Sequence, residues 1–537
     1  MTFRLRRRRV LYACLAVALA VLTAATATAA APTSASASAP ASASASASAS
    51  ASAGTAPSLL SAAPLGLNAA PWDYIYAADT SAGGGVDVIQ PLLQAAGITT
   101  LRYGGGSWAD EYDWHTNTDI SGCLPDDATA SFTSSCAASD SLGFTQFSQQ
   151  ARAIGAQSFV TVNYGSGTPA EAAAWVTQAK KTPGQGVALW EVGNENYGCW
   201  EVNNELAGPP ENFPGYTPNT YTTVNGVYEN PTCPQVTEGN AAGTQTLATS
   251  YAVNASRFLR AMKAADPGAR IGVPWAFGSD VPGASVPDNT EWNSTVDRTD
   301  GRYASFVDAH YYPFSFSGGT GGANPTDQQV LRSLQQIPAL YRGIRTELNT
   351  YDPKASVVVG ETSVSSNETT TVCTPVGALF AAGDVLSWLA AGANSVDWWD
   401  MNNYGNTSGT CDSPDYGFFT SSSPPVAETP YYGYLLASVL AQPHALLGRL
   451  DTSNANVLAY RSVLPDGTFA VALINTSTST AQRVILNAPL TGTLRTWSYS
   501  AGNQNSSNSN IVTGTTPAAS VAHGITLPTE SVTVLQT

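Results

Sequence analysis

Short apolar runs of about five residues recur along the chain, separated by longer segments in which apolar positions return every three or four residues. The runs lie near Leu65 to Ala69, Thr99 to Tyr103, Ser158 to Asn163, Ala188 to Gly193, Arg270 to Pro274, Phe306 to His310, Ser356 to Gly360 and Ser395 to Trp399. Continuous apolar runs of this length suit strands buried on both faces, whereas the longer period suits amphipathic helices. Helices are predicted from Val86 to Ala96, Gly143 to Ile154, Pro169 to Lys180, Thr246 to Ala265, Asp327 to Leu348 and Val376 to Ala391. Strands alternating with helices imply a parallel sheet with crossover helices, and eight such units predict a (β/α)8 barrel over residues 61–444, closed by a last helix near Tyr431 to Leu440.

After about Leu447 the pattern becomes short alternating stretches, near Ala455 to Tyr460, Thr468 to Ile474, Gln482 to Leu486, Leu494 to Ser498 and Ser531 to Leu535, with Gly, Pro, Asn and Ser between them. That is the pattern of an antiparallel β-sandwich, expected over 445–537. The segment from Gly198 to Gly243 is too long for an idle loop and follows the fourth strand, so it is expected to wall a cleft.

The first residues break this pattern. Arg4, Arg6, Arg7, Arg8 and Arg9 precede an apolar run from Val10 to about Leu22, and small residues follow near position 30, as in a secretory signal peptide over 1–31. The run is shorter than the ~20 residues of a membrane span, and no other stretch is apolar enough, so a secreted, extracellular protein without membrane attachment after cleavage is expected. The paired arginines leave the general and twin-arginine routes both open. Ser34 to about Gly54 is Ser-Ala alternation with little to bury, expected to be part of a structureless linker over 32–60.

Charge narrows the partners. Lys and Arg number 23 against 39 Asp and Glu, and removal of the five leader arginines leaves 18 against 39, a formal charge of −21. Such a surface repels phosphate backbones and anionic lipids, which argues against nucleic acid and favours a neutral polysaccharide or oligosaccharide. Six of the seven cysteines remain after the leader: Cys123, Cys136, Cys199, Cys233, Cys373 and Cys411. An even number in an exported chain predicts three disulfides, of which sequence-near pairing is the simplest of 15 connectivities. No spacing matches a Cys/His zinc site, His310 has no second histidine at ligand spacing, and no cofactor is expected. The oligomeric state is not legible.

In a barrel of this kind, chemistry gathers at the C-terminal ends of the strands. Two glutamates stand there: Glu195, in Gly193-Asn194-Glu195-Asn196-Tyr197 after the fourth run, and Glu361, in Val357-Val358-Val359-Gly360-Glu361-Thr362 after the seventh. Two opposed carboxyl groups are what glycosidic cleavage requires, one to protonate the leaving oxygen and one to attack C1 or to activate water. A separation of about 5–5.5 Å serves retention and about 6.5–9.5 Å inversion, a gap that the sequence does not measure. Each glutamate also has a plainer reading as a salt-bridged carboxylate, which applies to Glu191, Glu111, Glu201 and Glu205 as well. Aromatic rings stack on the apolar faces of sugars, making Trp398, Trp399, Trp200 and Trp108 substrate-contact candidates, with Trp114 and Trp275 behind them. Trp398 and Trp399 are adjacent on one strand, so only one of them can face the barrel interior.

Gly193-Asn194-Glu195 after a fourth strand and Glu361 after a seventh resemble the hallmark of glycoside hydrolase clan A. Within it, Leu101-Arg102-Tyr103-Gly104-Gly105-Gly106, followed by Tyr112-Asp113-Trp114, resembles a block of the family 51 α-L-arabinofuranosidases, with families 39, 30 and 79 as relatives. Gly104 stands where family 51 usually has proline, and Gly360-Glu361-Thr362 replaces its usual Glu-Trp context. The resemblance spans roughly 65–537 and implies a retaining two-step mechanism with Glu361 as nucleophile and Glu195 as general acid/base. It further implies that Asn194 binds the sugar 2-hydroxyl, that Arg102 is the cation beside Glu361, and that His310 and Tyr312 are hydrogen-bonding partners of the nucleophile. An α-L-arabinofuranoside is the leading substrate. Endo-glucanase, β-xylosidase, β-glucuronidase and galactofuranosidase activities are the alternatives within the clan, and a non-catalytic carbohydrate-binding protein is the alternative outside it.

Overall fold

The computed structural model describes residues 47–53, 56–73, 76, 85–119, 138–198, 201, 222–224, 227–229, 241–277, 290–314, 325–403, 414–486, 490–500 and 511–537. The leader, most of the Ser-Ala stretch, Trp200, Cys123, Cys136, Cys199, Cys233 and Cys411 lie outside them, as does most of the segment expected to wall the cleft.

Eight parallel strands close into a barrel: Leu65–Ala69, Thr100–Tyr103, Gln157–Val162, Val187–Val192, Ile271–Trp275, Phe306–Tyr311, Ser356–Thr362 and Val396–Trp398. They are named below by their order in the barrel. Most of their residues are buried on both faces, as the unbroken apolar runs require. Phe159, Leu189, Phe306 and Val358, each from a different strand, pack in the interior, with Phe159 and Phe306 edge to face at 5.6 Å. The barrel is therefore a filled core with its chemistry confined to the rim.

Two helical expectations needed correction. The single helix expected from Asp327 to Leu348 is two, Asp327–Ser333 and Ile337–Tyr351, parted ahead of Pro338, which has no N–H to donate to the carbonyl four residues back and stands in the first turn of the second helix. Thr290–Asp300 forms a helix that the pattern does not announce, because only Trp292 and Val296 of its length are buried apolar side chains.

The C-terminal domain is one ten-stranded sheet, and the expected sandwich arises because this sheet curls over its own core. Thr493–Ser500, near one end of the sheet, and Ile525–Leu527, at the other, both feed that core, through Leu494 and Leu527. The opposite face serves the barrel. Along Val457–Val463, Val457 and Ala459 join the inner core, whereas Leu458 and Tyr460 join the core of the barrel helices. The helix Pro375–Ala391 lies between barrel and sheet and is apolar on every face except for Asp384 and Ser387, both of which are hydrogen-bonded, as suits a helix covered on all sides. There Tyr460 Oη lies 2.6 Å from Ser387 Oγ, and Tyr432 of the last helix, Thr429–Ala437, stacks on Tyr499 at 6.3 Å.

The Ser-Ala stretch differs from its expectation. Ala47–Ala53 is a strand of this sheet, antiparallel to Leu446–Thr452 and parallel to Gln482–Leu486. Backbone pairing on both sides provides an order that small side chains alone do not encode. The C-terminal domain thus contains residues from before the barrel.

Candidate active site

The fourth strand ends in a turn built around Gly193, whose φ of 74° and close approach to Asn196 leave no room for a Cβ. Asp110, from the short 3-10 helix Gly106–Asp110 after the second strand, ties that turn down. One of its oxygens accepts from Asn196 Nδ2 at 2.7 Å and from the Asn194 amide at 3.3 Å; the other accepts from the amides of Tyr164 and Gly165 at 3.1 and 3.3 Å. Burial nevertheless pushes Asp110 up to about 7, the hydrogen bonds from Asn194, Tyr164 and Asn196 holding it below a still higher value. Glu195 follows with φ 41°, a left-handed conformation that costs a non-glycine residue about 1–3 kcal/mol and persists because the turn around it is fixed.

Glu361 ends the seventh strand and is 4 % exposed. Arg102 Nη1 donates to its Oε1 at 2.7 Å and Tyr312 Oη to its Oε2 at 2.6 Å, so both oxygens are held. Arg102, itself 1 % exposed, is anchored from several sides. It donates to Asn68 Oδ1 at 3.0 Å, Glu191 Oε2 at 3.0 Å and Asn194 Oδ1 at 2.9 Å, and its Nε lies 3.6 Å from Asp308. Burial opposes its charge, but the carboxylates of Glu191, Glu361 and Asp308 outweigh that penalty and hold the guanidinium charged. Burial pushes Glu191 up to about 8, with the Asp308 charge adding to the rise and Arg102 opposing it.

His310, at the end of the sixth strand, joins the two glutamates. Its Nδ1 lies 2.9 Å from Glu195 Oε1 and 3.5 Å from Glu361 Oε2, and its Nε2 lies 3.4 Å from Asp308. Burial works against protonation, but the Glu361 charge, hydrogen bonds to Asp308 and Glu195, and the Asp308 charge raise its pKa well above the ordinary value. A carboxylate oxygen of Glu195, one of Glu361 and a ring nitrogen of His310 all lie within 4.8 Å of one another, and Glu191, Asp308 and His310 form a second such set. In donor type both sets could serve a metal ion, but their groups are already paired with one another and with Arg102, which meets Glu191, Asp308 and Glu361, while His310 meets Glu195 and Asp308.

Strand-end placement therefore brings together Asn194, Glu195, Glu361, Arg102, His310 and Tyr312. The tryptophans divide. Trp399 and Trp108 are half-buried and flank Trp72, at 6.3 and 5.0 Å between ring centroids, over the Gly104–Gly106 turn, where Gly105 abuts Trp72 and Gly106 abuts Trp399. The Trp399-Asp400 peptide in this wall is cis. Trp398 is fully buried among Phe380, Phe418 and Tyr434, its Nε1 donating to Tyr416 O, so its candidacy as a substrate contact is withdrawn. Trp114 stacks on Trp175 at 5.4 Å, and Trp275 belongs to the same buried apolar core, which makes both of them packing residues.

Asn68, Asp110, Asp308 and Trp72 escaped the sequence reading. Asn68 had a usable signal, a polar residue at the end of the first apolar run. Its Nδ2 donates to Gly360 O at 2.7 Å and Trp398 O at 3.2 Å, fixing the backbone that carries Glu361. Asp110 ends a single 3-10 turn and Trp72 sits in a loop, neither of which has a periodicity to point from.

A (β/α)8 barrel with a trailing sheet domain is a fold that solved glycoside hydrolases share. In a comparison with solved structures, an alpha-L-arabinofuranosidase from Thermotoga maritima superposes with a TM-score of 0.65 at 14 % identity, over 91 % of this chain and 99 % of that one. A family 51 alpha-L-arabinofuranosidase from Bifidobacterium longum gives 0.64 at 15 %, over 91 % and 99 %. A family 44 endoglucanase from Clostridium thermocellum gives 0.55 at 14 %, over 89 % and 97 %. No family model matches the chain, and no curated protein matches it.

Proposed function

We propose that this protein is an exported, retaining glycoside hydrolase. In the first step Glu361 attacks the anomeric carbon while Glu195 protonates the departing glycosidic oxygen, giving a covalent glycosyl-enzyme; in the second, Glu195 takes a proton from water, which attacks C1 and releases Glu361. The observation that carries this reading is the approach of Glu195 and Glu361 oxygens to within 4.8 Å across the rim, which suits direct attack and leaves little room for a water between them. Arg102 and Tyr312 donate to the two oxygens of Glu361, and Trp399, Trp72 and Trp108 offer rings for the apolar face of a sugar. Export rests on the basic and apolar leader.

An α-L-arabinofuranoside is the first substrate to test, because the Arg102 to Gly106 block and the fold both resemble arabinofuranosidases. Endo-β-glucanase activity is the second, because a family 44 endoglucanase shares the fold over nearly its whole length. Nitrophenyl glycosides assayed beside soluble β-glucans separate the two. The mechanism is tested with Glu361→Ala: turnover should vanish, and azide should restore it as a glycosyl azide of inverted configuration. Unimpaired turnover in that variant would refute the assignment.

A further inference from the structure

Glu201 is a buried carboxyl that the two-step reaction does not use. Among the described residues, the donors that reach it fall on one oxygen: Ser107 Oγ at 2.8 Å and Asn194 Nδ2 at 3.0 Å meet Oε1, while Oε2 has no hydrogen-bond partner there. Burial raises its pKa well above the ordinary value, and the charges of Asp110 and Glu195 add to the rise. A buried carboxyl that accepts twice on one oxygen and nothing on the other is poorly placed to carry charge on the second, which favours the neutral form.

The consequence falls on Asn194. Arg102 Nη2 donates to its Oδ1 at 2.9 Å, Glu201 accepts from its Nδ2, and Asp110 accepts from its backbone amide. Its carboxamide is thus clamped at both ends, and its second side-chain N–H has no acceptor among the described residues and is open to substrate. Ser107 and Asp110 belong to the same 3-10 turn, so the loop after the second strand and the turn after the fourth are cross-linked at this residue.

We propose that Glu201 is a positioning residue that fixes the Asn194 amide toward the sugar hydroxyl beside the scissile bond. This rests on the glycosidase reading above. The experiment is a cycle of Glu201→Ala, Asn194→Ala and the double variant, with Glu201→Gln beside them, measured on the best nitrophenyl glycoside after a melting scan shows each to be folded. Glu201→Ala should lower kcat about 10- to 100-fold with KM little changed. Glu201→Gln, which keeps the accepting oxygen and is uncharged, should recover kcat to within about fivefold of the parent. In the Asn194→Ala background, removal of Glu201 should cost less than about twofold, because its partner is already gone. Additive losses, or a Gln variant as poor as Ala, overturn the proposal. A Glu361→Ala variant that still turns over overturns the glycosidase reading instead, so the two failures are distinguishable.

Discussion

The two limbs of the site are built on opposite principles. On the seventh strand Glu361 is buried, both of its oxygens accept from other side chains, and the cation beside it is fixed by residues from the first, fourth and sixth strands. On the fourth strand Glu195 is more open, with 19 % of its side chain exposed; it sits in left-handed backbone and is reached by His310 and by Tyr197 Oη at 3.0 Å. A group that attacks carbon must be aimed along one line, and rigid strands aim it. A group that exchanges protons with a leaving oxygen and then with water must be reached from outside, and a turn at the rim allows that. On the proposed mechanism, the difference places rigidity where the covalent bond would form.

The largest effect tests the rigid limb. Glu361→Ala should reduce kcat by about 10⁴- to 10⁶-fold on every glycoside, because no other carboxylate can take its line of attack. Glu195→Ala should cost less, about 10²- to 10⁴-fold on a poor leaving group, and much less on a dinitrophenyl glycoside, whose leaving oxygen needs no proton. Equal losses on both substrates would erase the distinction between the limbs. These two variants should be read together by initial rates on a matched pair of leaving groups.

A smaller effect is shared by both limbs, each of which leans on a buried acid. Asp110 under the turn of Glu195 is pushed up to about 7 and Glu191 beside Arg102 up to about 8, both chiefly by burial. Unfolded, such groups release their protons near pH 4, so from there to about pH 8 the folded chain holds more protons than the unfolded one. The contribution of these groups to stability is complete below about pH 4 and lost as pH rises through their folded values. Melting temperatures should fall by several degrees between pH 5 and pH 8. A melting point that climbs over that interval would mean that these acids are ionised in place.

The barrel strands were legible because burial on both faces leaves an unbroken apolar run, and the two glutamates because they sit where such runs stop. What supports them was less so. Asp110 acts from a single 3-10 turn, and Asp308 is a polar residue inside an apolar strand whose purpose appears only when Arg102 and His310 arrive beside it. Tertiary contact also decided Trp398 against Trp399: alternation predicts that they diverge but not which one points to the rim. In the C-terminal sheet Val512–Pro517 passed unnoticed because it is an exposed edge of Thr and Gly, and Leu446–Thr452 because its apolar positions begin at the domain boundary.

The strand Ala47–Ala53 bears on where the gene can be cut. A shortened clone that begins at residue 61, where the barrel pattern starts, would strip Leu446–Thr452 and Gln482–Leu486 of a shared neighbour and leave two raw backbone edges on a domain at the other end of the polypeptide. Soluble yield from clones starting at residues 45 and 61 should therefore diverge, and the barrel would lose expression through an injury to the far end of the polypeptide.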